Sequence, residues 1–424
     1  MFDSFFPKPK WFFLSFSLWS ILCVVSWYCG INDLGQQLSL AHWVNIDFPA
    51  PLLPDASEPM KAEFESLSTQ AINAWQYQYM LFCYAAFCLF WIKVGGQKWA
   101  KWSVLGSALI VFITWFLVEV NVMLNEWYGD FYNLIQTALS KPDSITIEQF
   151  YHELSSVAVI LMVAITVSVL NSFFVSHFVF RWRTAMTEYY TKMWHKVRHI
   201  EGASQRIQED TMRFASIVEG LGVSFLNSVM TLIAFLPILW GLSGYVKEVP
   251  IFGEVPQALV FVAIIWSIFG TTLLALSGIK LPGLEFNNQK VEAAYRKELV
   301  YGEDFADRAQ PPTLKDLFSN VRQSYFKLYL HYVYFNIVRY GYLQVGAFIP
   351  LIVLAPSIVA GAFTLGVMQR ILNAFNQVEN SFQYLVNSWT TIVELMSIYK
   401  RLKAFEKQID HTPEGASELA YDND

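Results

Sequence analysis

Charge is what this sequence has least of. Only 15% of its 424 residues are Asp, Glu, Lys or Arg, where soluble domains carry about a quarter. That scarcity excludes an ordinary water-soluble globular chain. Nucleotide and catalytic signatures are missing too. There is no G-x-x-x-x-G-K-[ST], no H-E-x-x-H and no G-x-S-x-G, which argues against an integral P-loop ATPase, a zinc peptidase and a serine hydrolase of the common types. Cysteine is sparse. Cys23, Cys29, Cys83 and Cys88 all fall in apolar runs without a C-x-x-C spacing, so neither a zinc site nor a disulfide framework is indicated. We expect no enzyme, no cofactor, no metal and no nucleic-acid partner.

What is present points to lipid. Hydrophobic residues make up 54% of the chain and aromatics 17%, including 15 Trp and 35 Phe, and the mean hydropathy is +0.35. Tryptophan and tyrosine rings concentrate where a bilayer meets water. Apolar runs long enough to cross the hydrocarbon core occur near 11–31, 73–94, 102–124, 154–180, 215–243, 257–281, 332–355 and 361–396, since about 20 residues suffice. The last two are interrupted by Arg339, Arg370, Glu379 and many amides. Lys8 and Lys10 precede the first run, but it lacks a small-x-small cleavage site and is too long for a signal core, so it reads as a retained span.

The expected fold class is therefore an all-α membrane protein with eight transmembrane helices per protomer. Residues 1–405 form one transmembrane domain and 406–424 a flexible tail. Basic residues orient it. Segments 1–10, 93–101, 181–214, 280–331 and 399–424 hold 24 of the 29 Lys and Arg, whereas 32–72, 125–153 and 246–256 hold three, with 13 acidic residues. By the positive-inside rule both termini face the cytoplasm. The segment 47–59, with four prolines, reads as an external surface loop.

Two constellations carry chemistry. Gln369, Asn373, Asn376, Asn380, Gln383 and Asn387 recur at spacings of 4, 3, 4, 3 and 4, which places them on one side of a helix. Amides facing lipid would be unsatisfied, so the row faces protein or water. Either it forms a helix–helix seam, as buried Asn does in coiled coils, or it lines a water-filled cavity where amides donate to and accept from a peptide backbone.

The second constellation is acidic. Glu119 lies inside the third run and Glu219 near the start of the fifth; an ionisable group at membrane depth is a functional hypothesis by default. Glu285, Glu292 and Glu303 are 7 and 11 residues apart, within about 20° of one direction over roughly 27 Å of unbroken helix. Such a column passes protons stepwise when burial favours the neutral acid. The competing reading is a solvated helix face paired with Lys290, Arg296 and Lys297.

The stretches FFPKP (5–9), TWFLVEV (114–120), RWRTAMTEYY (181–190), QEDTMRFAS (208–216), GIKLPGLEF (278–286), VEAAYRKELVYGED (291–304) and NSWTTIVELMSIYKRL (387–402) resemble the SbmA/BacA family of bacterial inner-membrane peptide transporters. The resemblance implies an ABC-exporter-like transmembrane fold without a nucleotide-binding domain, assembled as a homodimer. It also implies import of antimicrobial peptides and peptide-like antibiotics across the bacterial inner membrane, driven by protons. Carried over by motif, the proton-coupling positions are Glu219, Glu285, Glu292 and Glu303, with Glu209 a weaker member and Glu119 added by its position. Two alternatives stand beside this: a permease subunit served by a separately encoded ATPase, and a non-transporting protein of envelope assembly.

The charge asymmetry generates the first prediction. A cysteine replacing Ser144 reacts with a membrane-impermeant thiol reagent in intact spheroplasts, and one replacing Ser319 reacts only after lysis. The reverse pattern overturns the orientation.

Overall fold

The computed structural model describes residues 1–50, 58–198, 203–246, 248–250, 253–305 and 307–411. The segment 47–59 and the tail 406–424 therefore fall partly outside the described residues. Among the described residues there is no strand, only an isolated bridge between Val249 and Gly253. The chain is all-helical, as its hydropathy requires: within a bilayer, each backbone N–H and C=O must find its partner inside its own segment.

The main helices in chain order are α1 (Pro9–Ser26), α2 (Glu58–Gly95), α3 (Ala100–Ser140), α4 (Ile147–Lys192), α5 (Thr211–Leu242) and α6 (Ala258–Gly278). Then come α7 (Leu281–Asp304), α8 (Pro311–Gly346), α9 (Ile349–Val359), α10 (Leu365–Phe382) and α11 (Trp389–His411). Local chemistry sets several boundaries. Prolines occupy the first turn of α1, α7, α8 and α9, where a missing N–H costs nothing. Helix α4 opens on a reciprocal cap: Gln149 N donates to Thr146 Oγ1 (3.2 Å) and Thr146 N to Gln149 Oε1 (3.0 Å), the T-x-x-Q form of the capping box. The turn from α7 to α8 is tied by Glu298, which accepts from Arg308 Nη2 (3.0 Å) and from Ala309 N (3.1 Å).

Seven helical stretches among the described residues are long and apolar enough to cross a membrane: Pro9–Ile31, Ser66–Gly95, Ala100–Ser140, Ile147–Lys192, Ala203–Tyr245, Ala258–Glu303 and Pro311–Val359. They take in the first seven expected spans. The region expected to hold the eighth, 361–396, is divided among α10, a short turn of helix Tyr384–Asn387, and α11, and is not among the seven.

Two compact units organise the chain. One comprises Met1–Phe112, Phe174–Ala215 and the chain from Leu402. Its centre is an aromatic cluster in which Trp182 stacks on Phe5 (5.9 Å, 12°) and meets Phe6 and Phe214 edge-on. In the same unit, indole N–H groups join α1 to α2. Trp19 donates to the Cys83 carbonyl (3.1 Å), Trp91 to Ser15 Oγ (3.0 Å) and Trp75 to the Ile31 carbonyl (2.8 Å). Lipid tails are as apolar as any side chain, so helices hold together by such bonds and by close packing.

The other unit comprises Ile113–Phe173 and Ser216–Arg401. Its core is formed by Phe235 and Leu239 of α5, Leu259 and Ala263 of α6, Leu354 of α9, and Ile371, Ala374 and Phe375 of α10. Here α10 sits close against the C-terminal half of α3: a Cβ on Gly366 would overlap the Gly129 carbonyl and the Asn133 side chain. Gly366→Ala must therefore push the α3 and α10 backbones apart, at about 1–3 kcal/mol. Gly220→Ala, on a helical stretch with open space around it, should be neutral or stabilise by up to about 1 kcal/mol. Melting of the two purified variants in detergent checks this contrast in sign.

Candidate functional site

Helix α10 carries most of the expected amide row, and its neighbours decide what each amide does. At the start of α10, Leu365 N donates to Gln136 Oε1 (2.7 Å) and Gly366 N to Asn133 Oδ1 (3.0 Å). Two orphan donors of a helix N-terminus are thus satisfied by amides of α3. Two turns on, Asn373 Nδ2 donates to Asn125 Oδ1 (3.0 Å). This stretch of the row is a seam between α3 and α10.

The members of the row do not share one set of neighbours. Helix α10 ends at Phe382, and Gln383 caps it with φ −81° and ψ 0°. The side chain of Gln383 is buried and donates to Glu379 Oε1 (2.9 Å) and to the Tyr342 hydroxyl (2.7 Å). Asn376, Asn380 and Asn387 are exposed, and Gln369 is half-buried. The two readings of the row divide by residue: Asn373 and Gln383 are held by internal bonds, as a seam requires, while Asn376, Asn380 and Asn387 are exposed. Positions 373, 376 and 380 lie on one continuous helix, so the difference comes from which neighbours lie opposite each amide, which spacing alone does not carry.

What Gln383 turns toward is a carboxylate that the hydropathy pattern marks only as an interruption. Glu379 is buried, and its Oε1 accepts from three donors on three elements: Trp266 Nε1 of α6 (3.0 Å), the Tyr342 hydroxyl of α8 (3.0 Å) and Gln383 Nε2 (2.9 Å). Trp266 and Tyr342 stack at 4.9 Å and 17°. Glycines admit them: a Cβ on Gly270 would overlap the Tyr342 ring, and one on Gly346 would press on Glu379 and Trp266. An acid inside an apolar run is itself the signal that could have found this site. Every partner is neutral; no ion pair reaches Glu379 among the described residues.

The other expected carboxylates are placed as follows. Helix α7 runs unbroken from Leu281 to Asp304, so Glu285, Glu292 and Glu303 do share one helix. Glu285 and Glu292 are half-buried and Glu303 is exposed. None of the three makes a hydrogen bond or ion pair among the described residues. Their competitor for cations, Glu298, takes Arg308 instead (3.0 Å). Glu119 on α3 and Glu219 on α5 are half-buried. Near Glu219, the Tyr384 hydroxyl donates to the Leu221 carbonyl (2.7 Å), which seats the segment after the α10 break against α5. Glu209 belongs to the other unit and is held by Arg213 one turn on (2.9 Å) and by Gln205 (3.1 Å). Among the described residues no three His, Cys, Asp or Glu side chains are grouped as metal ligands.

The sequence pattern of the SbmA/BacA-like family matches residues 96–410. Curated relatives are more distant. The inner membrane ABC transporter ATP-binding protein YddA of Escherichia coli (strain K12) is 23% identical over 346 residues, which cover 76% of this chain and 60% of that protein. The chloroplastic ABC transporter D family member 2 of Arabidopsis thaliana is 23% identical, with 72% and 43% covered. An uncharacterized ABC transporter ATP-binding protein of Haemophilus influenzae is 24% identical, with 57% and 42% covered. The chain spans about half the length of the curated relatives it matches.

The Glu379 knot is testable by itself. Tyr342→Phe and Trp266→Phe each remove one donor to a buried carboxylate, at about 1.5–3 kcal/mol apiece. Because they share an acceptor, the double variant should lose less than the sum. Melting temperatures unchanged in both single variants would mean the knot contributes nothing to holding α6, α8 and α10 together.

Proposed function

We propose, from the premise that the chain belongs to the SbmA/BacA-like family, that it imports peptides across a bacterial inner membrane using the proton gradient. The substrates are antimicrobial peptides and peptide-like antibiotics, and the working unit is a homodimer with both termini cytoplasmic. That the protein is a multi-pass membrane protein of a transporter family is the firm ground beneath this reading. The observation that carries the rest is the state of three α7 carboxylates: Glu285, Glu292 and Glu303 lie on one unbroken helix, partly exposed, with no ion pair among the described residues. A carboxylate locked in an ion pair keeps its charge. One with water on one side and apolar side chains on the other can gain and lose a proton as its surroundings change.

In this reading protons enter and leave through Glu219, Glu292 and Glu285, with Glu303 at the end of the column and Glu119 on the far side. Glu209, already paired with Arg213, takes a structural place. Peptide backbone is met by the outward amides Asn376, Asn380 and Asn387, with Gln369 beside them. Asn373 and Gln383 keep the wall in shape. The proposed partners are peptide, protons, surrounding lipid and a second copy. The apolar window of α4 is only 6% buried within the protein, so it has ample surface for lipid or for that copy. An eighth crossing, 361–396, belongs to the proposal, since it returns the C-terminal helix to the cytoplasmic side.

A second reading has its own support. The relatives' names include ATP-binding proteins, and the chain spans about half of each; a permease subunit served by a separate ATPase fits that pattern. Uptake of a labelled peptide into liposomes, with an imposed pH gradient and no nucleotide, separates the two.

In that assay Glu219→Gln and Glu292→Gln should bind peptide as the parent does, while gradient-driven uptake falls at least tenfold. Glutamine keeps size and hydrogen bonding but fixes the charge at zero. Aspartate at either position should retain some of the activity. Parental rates in both Gln variants would make these carboxylates structural.

A further inference from the structure

The seam between α3 and α10 holds more hydrogen-bond donors than acceptors. Asn125 is fully buried, and its Oδ1 is taken by Asn373, but its Nδ2 has no partner. One turn further along α3, the Arg370 side chain lies across Gly129, so closely that a Cβ there would overlap its Cδ. The buried Nε of Arg370 also has no acceptor. No ion pair or hydrogen bond reaches the rest of this guanidinium among the described residues. The acids on the same stretch of α3, Glu126 and Asp130, are exposed, and neither pairs with it. The backbone N–H groups nearby are already satisfied, Leu365 by Gln136, Gly366 by Asn133 and Val367 by Thr364. A guanidinium offers five donors in a planar fork and no acceptor. What the seam lacks is an oxyanion.

The level of the site identifies which oxyanion. Around Gly129, α3 carries Trp127, Tyr128, Phe131 and Tyr132 in succession. Trp127 stacks on Phe131 (4.6 Å, 14°), Phe131 meets Phe150 of α4 (5.3 Å), and Trp127 Nε1 donates to the Glu153 carbonyl (3.2 Å). Such aromatic girdles mark the depth of the lipid headgroups. A cation set between two membrane helices at that depth, with an open fork, is matched to a phosphodiester, which it can grip with two parallel bonds.

We infer that Arg370, with Asn125 beside it, forms a binding site for the phosphate of a single phospholipid at the α3–α10 seam. The lipid supplies the missing acceptor and pins the start of α10, from which the amide row is hung. This goes beyond the proposed transport activity and holds whichever energy source drives it.

The test is native mass spectrometry of the purified, delipidated full-length protein, titrated with phosphatidylglycerol and with a diacylglycerol of the same chains. The parent should retain the phospholipid in preference. Arg370→Gln should weaken phosphatidylglycerol binding roughly 10- to 150-fold, the range of a charge-assisted bond, and leave diacylglycerol unchanged. Arg370→Lys should lose some of the affinity, because it keeps the charge without the fork. Asn125→Asp places an internal carboxylate beside the guanidinium and should weaken the phospholipid as well. A parent that does not discriminate between the two lipids overturns the inference. So does an Arg370→Gln variant that binds phosphatidylglycerol as the parent does, or loses both lipids equally. So too does a parent in which a peptide with a free C-terminal carboxylate displaces the phospholipid while its amidated form does not, since the oxyanion would then be the peptide's.

Discussion

Glu379 is the point on which the α10 region turns. A buried carboxylate has little water to solvate it, and among the described residues no cation pairs with this one. It is tolerated because three neutral donors converge on one oxygen, from Trp266, Tyr342 and Gln383. Each donor comes at a structural cost elsewhere. Tyr342 needs glycine at 270, Glu379 and Trp266 need glycine at 346, and Gln383 reaches Glu379 from one turn further along the same chain path. A buried group stripped of some of its partners is more expensive than an apolar substitute, so these positions stand or fall together.

The same need for partners explains why the C-terminal half of α3 is rich in amides. Asn125, Asn133 and Gln136 present oxygens to α10, at its first two backbone donors and at Asn373. In water a helix N-terminus finds solvent; at the edge of a bilayer the neighbouring helix supplies the acceptors. Gly366 and Gly129 let the two backbones approach closely enough for these short side chains to reach. The arrangement resembles the small-residue and polar contacts that join membrane helices generally, and it leaves one element, α10, anchored at its beginning by α3 and near its end by α6 and α8.

Much of this is legible in the sequence, because hydropathy over twenty residues averages out local detail. Seven of the eight expected spans coincide with helices long and apolar enough to cross a membrane. Helix α7 is legible too: Glu285, Glu292 and Glu303 align only on an unbroken helix, and the helix runs through Asp304. The amide row is legible only as an alignment. Spacings of three and four say which side chains share a side of a helix, but not what lies opposite each one: Asn373 meets Asn125, Gln383 meets Glu379 and Tyr342, and Asn376, Asn380 and Asn387 are exposed. Glu379 is visible as an acid in an apolar run, but its donors lie 113 and 37 residues away, and no local pattern joins them.

These two outcomes bear on how a transport cycle would use the molecule. Among the described residues Glu285, Glu292 and Glu303 of α7 make no hydrogen bond or ion pair, whereas Glu379 of α10 accepts three hydrogen bonds at Oε1. A group that exchanges protons must change its surroundings at little cost, and a group that holds three helices must not. In the proposed cycle Glu285 and Glu292 would take the first role, and Glu379, bonded to α6 and α8, the second. The amides divide along the same line, with Asn373 and Gln383 committed to internal bonds and Asn376, Asn380 and Asn387 left outward. The separation leaves one helix able to present polar groups to a passing substrate while its own position is fixed by others. In a bilayer, where any polar group without a partner is costly, rigidity and reactivity have to be assigned to different residues. Along α7 and α10 the assignment can be read directly from which acids and amides already have a bond.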